Sequence, residues 1–223
     1  MKAISLCCTL LLFFVFAQSQ NQLAIFAGPQ ATTVKYTVTG KKQDVTMKYG
    51  FHAGMLMKVP FEGNVYFAPA AMYSMTGYKV KFTEYANPPS LDAADNDVTI
   101  HTFQLAGLIQ VDLGKKPAHF FLKTGPTLDF QLFGKEKFNL KTTGSVSRNM
   151  SWGPVDYGRY GANFLFQLGY ETSSFLVSAH YSHGLTTISN ADFGPNILHR
   201  AFGISIGTYL KRKKIIIDTR NRE

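Results

Sequence analysis

Two side chains near the end of the chain have the types and the spacing of a catalytic pair. One residue separates His180 from Ser182, and Asp192 follows in the next connection. A histidine that removes the proton of a serine hydroxyl makes it a nucleophile, and a carboxylate can orient the histidine. The pattern is compatible with a hydrolase, although a His-x-Ser pair also arises often by chance.

A second group of polar side chains recurs at alternate positions and is expected to share one face of a sheet. The group consists of His52, Lys58, Asp112, Lys123, Asp129, Arg159, Asn163 and His180. It could form a path for protons or solutes, or a plug of paired charges and hydrogen bonds. We expect the plug, because buried charges need partners and a barrel of about eight strands has room only for its own side chains.

The other candidate motifs indicate neither a cofactor nor a metal site. His101, His119 and His199 lie near predicted strand ends, and their spacing matches no metal site that we recognise. Segment 158–161, Gly-Arg-Tyr-Gly, lacks the strand-to-helix context of a phosphate-binding loop. We therefore predict no catalytic, cofactor-binding or metal-binding residues.

The elements that carry these side chains show the two-residue period of β-strands. In segment 102–113, Phe103 and Leu105 alternate with Thr102 and Gln104. Glycine and small residues share the polar face, which suits the crowded interior of a narrow barrel. Phenylalanine and tyrosine cluster at strand ends, where the aromatic girdles of a membrane barrel lie.

Eight strands are predicted, and the connections between them alternate in length. The strands cover 23–36, 48–59, 65–82, 98–113, 119–133, 157–170, 175–185 and 198–210. Connections 60–64, 114–118 and 171–174 are short, whereas 134–156 is the longest. Short periplasmic turns and long outer loops are typical of outer-membrane barrels. The predicted fold is an all-β, antiparallel, up-and-down transmembrane β-barrel.

Three prolines lie inside predicted strands. They are Pro29, Pro69 and Pro126. Proline removes a backbone donor, and a closed barrel has no edge strand in which that loss is harmless. We expect each proline to mark a bulge or a strand end.

Residues 1–17 have the pattern of a cleaved signal peptide. Lys2 gives a positive start, residues 6–16 are apolar, and Ala17 is a small residue at the cleavage position. The apolar run is shorter than a membrane-spanning helix requires, and an N-terminal anchor helix is the alternative. Both cysteines, Cys7 and Cys8, lie in this segment. A disulfide in the mature chain is therefore excluded.

A predicted barrel domain, 18–210, and a basic tail, 211–223, follow the signal. The formal net charge is +9, and the basic residues are scattered except in the run 211–214. This run would bind anionic lipid headgroups or stay in the periplasm, and the isoleucines at 215–217 could instead extend the last strand. Scattered charge and predicted export argue against a nucleic-acid partner.

Turn residues, glycines and girdle aromatics recur in five segments that span most of the mature chain. The segments are 49–56 (YGFHAGML), 67–74 (FAPAAMYS) with Gly77, 122–132 (LKTGPTLDFQL), 181–188 (YSHGLTTI) and 200–209 (RAFGISIGTY). Together they resemble the PorT-like outer membrane β-barrel family of Bacteroidota. The resemblance implies an outer-membrane barrel without catalytic residues. It also suggests a link to type IX secretion and gliding, because PorT, the member that gives the family its name, is associated with both. Unlike such barrels, this chain continues beyond its last predicted strand.

A structural or interaction role is the function that these features favour. Outer loops 37–47, 83–97, 134–156 and 185–197, or the periplasmic face, would contact partner proteins, surface polymers or envelope components, and outer-membrane lipids would surround the barrel. Loop 134–156 is the best candidate because it is long and rich in basic and aromatic side chains. These are Lys135, Lys137, Lys141, Arg148 and the only tryptophan, Trp152.

Two alternatives remain open. Some outer-membrane lipid A deacylases have eight strands and a His-x-Ser pair in a late strand, so His180 and Ser182 could act on lipid A. The predicted phase turns both side chains toward the lumen, away from such a substrate. A soluble periplasmic ligand-binding barrel is the second alternative, and it would need an apolar interior and a polar exterior.

Overall fold

The computed structural model describes residues 22–210, which form twelve antiparallel strands. The predicted signal peptide and basic tail lie outside these residues. The strands are β1 (Gln22–Val38), β2 (Lys41–Lys42), β3 (Asp44–Glu62), β4 (Val65–Phe67), β5 (Ala70–Lys81), β6 (Asp95–Ala106), β7 (Ile109–Asp112), β8 (His119–Asn139), β9 (Ser145–Asn149), β10 (Tyr160–Glu171), β11 (Phe175–Gly184) and β12 (Asn196–Leu210). No helix in residues 22–210 has the length and apolar character needed to cross a membrane.

The sheet closes into a barrel because β1 pairs with both β12 and β3. The β4 and β5 strands lie end to end along β3, and β6 and β7 lie end to end along β8. The barrel wall therefore consists of eight crossings, as the alternation predicted, with β2 and β9 added as short outer strands. The short turns 63–64, 113–118 and 172–174 lie at one end, together with Gln22 and Leu210. We call this the periplasmic end and the opposite end the outer end.

The strands extend further at the outer end than the alternation predicted. The β8 strand continues to Asn139 and pairs with β9, so most of the predicted loop 134–156 forms a β-hairpin. The sequence pattern fades there because the exposed face of β8 carries lysines and its buried face carries Gly134 and Glu136, so the two faces differ little in polarity.

The three strand prolines have different surroundings. Pro69 lies between β4 and β5, as expected for a strand end. Pro29 and Pro126 instead lie inside β1 and β8, and the pairings of residues 22–210 show no register shift at either one, so the expectation is wrong for them. Each adjoins a local gap in the ladder: β1 skips two pairs with β12 at Pro29, and Pro126 faces the break between β6 and β7. Such a gap removes the need for the missing backbone donor.

The outside of the barrel is an apolar band between two aromatic belts. Side chains such as Leu105, Leu128 and Ile206 are at least half exposed there. Contacting rings form the outer belt, in which His101 stacks on Phe133 with 4.3 Å between ring centroids. The side chains that alternate with this band face inward, and many are polar. This arrangement fits a membrane barrel and is opposite to that of a soluble ligand-binding barrel.

Candidate functional site

An apolar plug closes the outer end of the lumen. We call the following residues the outer plug: Val34, Tyr36, Val38, Tyr78, Val80, Ala86, Val98, Ile100, Met150, Tyr157, Ile188 and Ile197. Some come from strand extensions and others from the long loops that fold over the barrel mouth. Because every member is at most 5% exposed, the plug leaves no open passage at this end.

One carboxylate lies within this apolar region. Glu136 is buried; its Oε2 accepts a hydrogen bond of 2.8 Å from the Tyr157 hydroxyl, and its Oε1 accepts one of 2.7 Å from Arg148 Nε. Burial raises the pKa of Tyr157, and the charges of Tyr78 and Glu136 raise it further. Arg148 also donates to the Pro89 carbonyl at 2.9 Å. These contacts join the β8–β9 hairpin to the neighbouring loop, so the outer end is a packed cap.

The middle of the lumen contains a small cavity with mixed lining. Its volume is about 40 Å³, and His52, Asp129, His180 and Ser205 are among its lining residues. Ligand pockets for small molecules are typically about 300–1,000 Å³, whereas one water needs roughly 10–15 Å³ on this scale. The cavity therefore has room for a few water molecules and not for a substrate.

A cluster of charged side chains closes the periplasmic end. We call Lys58, Gln110, Asp112, His119, Glu171 and Tyr209 the ionic cluster. Lys58 Nζ lies 2.6 Å from Asp112 Oδ2 and also contacts Glu171 Oε1. His119 Nε2 lies 3.0 Å from Asp112 Oδ2 and 3.1 Å from Glu171 Oε1. The lumen is thus closed at both ends, by apolar packing at one and by paired charges at the other.

Seven of the eight predicted inward side chains line the lumen. Lys58, Asp112 and Lys123 lie toward the periplasmic end, and the others surround the cavity; these are His52, Asp129, Asn163 and His180. Arg159 is the exception, because it precedes β10 and lies exposed against Trp152 and Phe130. Its predicted direction was wrong because the predicted strand began at residue 157, whereas β10 begins at Tyr160 and leaves Arg159 outside the strand.

The proposed hydrolase pair does not assemble. His180 and Ser182 both line the cavity, and no hydrogen bond joins them in the part of the chain that the structure describes. Asp192 is exposed in the loop before β12. The lumen does contain a histidine–serine hydrogen bond, of 2.7 Å, but it joins His52 Nε2 to Ser205 Oγ. Residues so far apart in sequence gave no signal for this pair, and the small cavity leaves no room for a substrate beside it.

The three histidines that lie near predicted strand ends have three different surroundings. His101 belongs to the outer belt, and His199 faces inward beside Tyr78, with 5.9 Å between ring centroids. His119 lies with Asp112 and Glu171, and donor atoms of these three residues lie within 4.8 Å of one another. The spacing of histidines alone missed this group, because its two carboxylates come from other strands.

The β8–β9 hairpin is the most exposed part of the outer surface. Lys135, Lys137 and Lys141 are exposed on it, and Lys141 lies over the Tyr85 ring, 4.0 Å from its centroid. Among the described residues, β9 is paired with β8 alone. Its outer edge therefore presents backbone donors and acceptors to solvent. Trp152 follows the hairpin and packs on Tyr157.

Comparisons with known proteins identify a family for most of the chain. A family model described as "Outer membrane protein beta-barrel domain" matches residues 16–190. No curated protein matches the chain.

Several solved structures of outer-membrane barrels are similar to this one. Ail of Yersinia pestis, in complex with the heparin analogue sucrose octasulfate, is 14% identical with a TM-score of 0.46, and the match covers 85% of this chain and 99% of Ail. OprG from Pseudomonas aeruginosa is 10% identical with a TM-score of 0.44, covering 86% and 97%. Neisserial surface protein A is 12% identical with a TM-score of 0.40, covering 83% and 97%. We draw no functional conclusion from similarity at this level.

Proposed function

The chain belongs to the outer membrane protein β-barrel domain family, and we propose that it acts as an interaction scaffold in the outer membrane. The observation that carries this proposal is the closure of the lumen at both ends. With the lumen closed and only about 40 Å³ free in its middle, the chemistry available to partners is on the outer and periplasmic surfaces. The polar interior then serves to hold the barrel in shape.

The outer surface favours an anionic partner through the β8–β9 hairpin. Lys135 and Lys137 are exposed at alternate positions of β8 and lie on the same face of this strand. Lys137 faces Asp97 across the strands, but Asp97 is already paired with Lys48 and Lys79. The two β8 lysines therefore remain available for an anionic polymer or an acidic protein surface.

A charge-reversal experiment on intact cells tests this proposal. We expect the double variant Lys135→Glu, Lys137→Glu to bind much less fluorescent dextran sulfate than the wild type, with neutral dextran as the blank. Because the contact is electrostatic, wild-type binding should also fall as salt rises.

The matched control is Lys115→Glu, Lys116→Glu, which makes the same charge change on two exposed lysines at the periplasmic turn. This control should leave polymer binding at the wild-type value, since the turn lies on the periplasmic side of the membrane and the polymer is added outside the cell. Equal binding by the wild type and the β8 variant would overturn the hairpin proposal. Heat-dependent gel mobility of each variant verifies that the barrel has assembled.

A link to protein secretion is a separate proposal, and it rests on the resemblance to PorT-like barrels. Its test is deletion of the gene, followed by analysis of proteins released into the medium. A non-catalytic role is supported by the inward direction of His180 and Ser182. Lipid A from cells that overproduce Ser182→Ala should have the same acyl chains as lipid A from cells that overproduce the wild type.

A further inference from the structure

We propose that Asp112, His119 and Glu171 form a Zn²⁺ site at the periplasmic mouth of the barrel, and that the Lys58 ammonium holds this position when the metal is absent. The site is independent of the outer surface and of the proposed interaction role. One histidine nitrogen and two carboxylate oxygens are ligands that Zn²⁺ accepts.

The distances between the donor atoms suit a tetrahedral ion. His119 Nε2 lies 3.0 Å from Asp112 Oδ2 and 3.1 Å from Glu171 Oε1. Bonds of about 2.0–2.2 Å to Zn²⁺ place neighbouring donors roughly 3.3–3.6 Å apart in a tetrahedron. The two distances from Nε2 are within a few tenths of an ångström of that spacing, and all three donor atoms lie within 4.8 Å of one another.

The proton on the His119 ring is placed as a metal ligand requires. Its Nδ1 lies 2.8 Å from the Lys116 carbonyl oxygen, which can only accept, so Nδ1 is the donor. In the neutral ring, Nε2 then carries the electron pair and lies beside two carboxylate oxygens. Nε2 makes no hydrogen bond to any described residue. An electron pair facing two anionic oxygens is repelled unless a cation lies between them.

Both carboxylates are also oriented by outer hydrogen bonds. The Tyr209 hydroxyl donates to Glu171 Oε2 at 2.6 Å, and Gln110 Nε2 donates to Asp112 Oδ1 at 2.6 Å. The other oxygen of each carboxylate is the one that faces His119. Hydrogen bonds that fix the far atom of each ligand are characteristic of metal sites.

Lys58 neutralises this site without a metal. Its Nζ contacts the same two oxygens that face His119. It also lies 4.0 Å from the centroid of the Tyr66 ring, which offers the displaced ammonium a second partner. The His119 side chain is 12% exposed beside the short turn 113–118, which places the site at the periplasmic surface of the barrel, and its Nε2 is buried.

Metal titration of the purified full-length barrel in detergent, without a histidine tag, tests the site. Zn²⁺ binding is measured by calorimetry, and Co²⁺ replaces it as an absorbing probe of the ligand geometry. We expect one ion per chain in the wild type. His119→Gln should lose at least about tenfold in affinity together with the Co²⁺ spectrum, and Tyr209→Phe should lose about 10- to 100-fold, as for other outer-shell partners. Lys58→Met should bind more tightly than the wild type because no ammonium competes.

His183→Gln is the matched control, because His183 lies on the outside of β11 and bonds to Tyr181. It should bind Zn²⁺ as the wild type does. Equal affinity in the wild type and His119→Gln would overturn the proposal, as would no binding in the wild type. The test does not depend on Lys58→Met folding, since His119→Gln keeps both ion pairs of Lys58.

Discussion

The two ends of the lumen are closed by opposite kinds of chemistry. The outer plug is apolar and aromatic, with Glu136 as its buried acid, whereas the ionic cluster joins Lys58 to Asp112 and Glu171. Apolar packing loses free energy in proportion to the atoms removed. A buried ion pair behaves differently, because removing one partner leaves the other charged and unpaired. At the outer end, the loss in the free energy of unfolding should therefore grow with the number of atoms that a substitution removes. At the periplasmic end, removal of a single charged partner should already cause a large loss.

The largest expected effect follows the loss of Lys58. Lys58→Met leaves Asp112 and Glu171 buried without their cation, which should lower the free energy of unfolding by about 3–5 kcal/mol. Urea unfolding in detergent with a chelator present measures it. Lys123→Met is the control, because Lys123 Nζ is buried without a hydrogen bond to the described chain and should cost much less. Equal losses in the two variants would show that the burial of a lysine at this end, and not its pairing with Asp112 and Glu171, determines the loss.

A smaller loss is expected when the buried acid of the outer plug loses one donor. Tyr157→Phe removes the hydroxyl that donates to Glu136 and should cost about 1.5–3 kcal/mol, as for hydrogen bonds to charged groups. Tyr78→Phe should cost little, since the Tyr78 hydroxyl makes no hydrogen bond within residues 22–210. The same urea series measures both, and similar losses would mean that packing, not Glu136, governs this end.

Alkaline pH should weaken the outer end. Burial, followed by the nearby Tyr78 and Glu136, raises the pKa of Tyr157, which lies between β9 and β10. An unfolded tyrosine ionises near pH 10 while the folded one stays neutral, so the unfolded state binds fewer protons there and stability falls as pH rises. The loss approaches about 1.4 kcal/mol per pH unit for each such tyrosine. Tyr157→Phe should lose less stability than the wild type between about pH 9 and about pH 11, and an identical pH profile would contradict this.

The smallest effect is expected at an exposed ion pair of the outer loops. Lys41 Nζ lies 2.5 Å from Glu84 Oε1, but the Lys41 side chain is 69% exposed. Lys41→Ala should therefore change the free energy of unfolding by about 0.2–1 kcal/mol, and less at high salt. A loss as large as that of Lys58→Met would show that the contribution of an ion pair to stability does not depend here on how exposed the pair is.

The sequence pattern predicted the barrel wall more accurately than its contents. Alternation of apolar and polar residues identified all eight crossings, because one face must meet lipid and the other the lumen. It missed the outer extension of β8, where neither face meets lipid. It also placed Arg159 inward, since the predicted strand began three residues before β10 and a residue outside a strand does not follow its alternation.

Contacts inside the lumen could not be predicted from spacing along the chain. The candidate catalytic pair, His180 and Ser182, lies within one strand, and no hydrogen bond joins the two side chains in the described chain. The pair that does form, His52 with Ser205, joins β3 to β12 across the barrel. Which inward side chains meet depends on strand register and barrel closure.

The sequence by itself determined the strand number, the direction of the apolar face and the alternation of short and long connections. These features follow from a period of two residues and from turn composition, both of which are local. The tertiary structure alone decided that the lumen is closed at both ends, that Glu136 lies inside the outer plug, and that Asp112, His119 and Glu171 converge. Closing the barrel brings distant strands to within hydrogen-bond distance, and no local pattern records that distance.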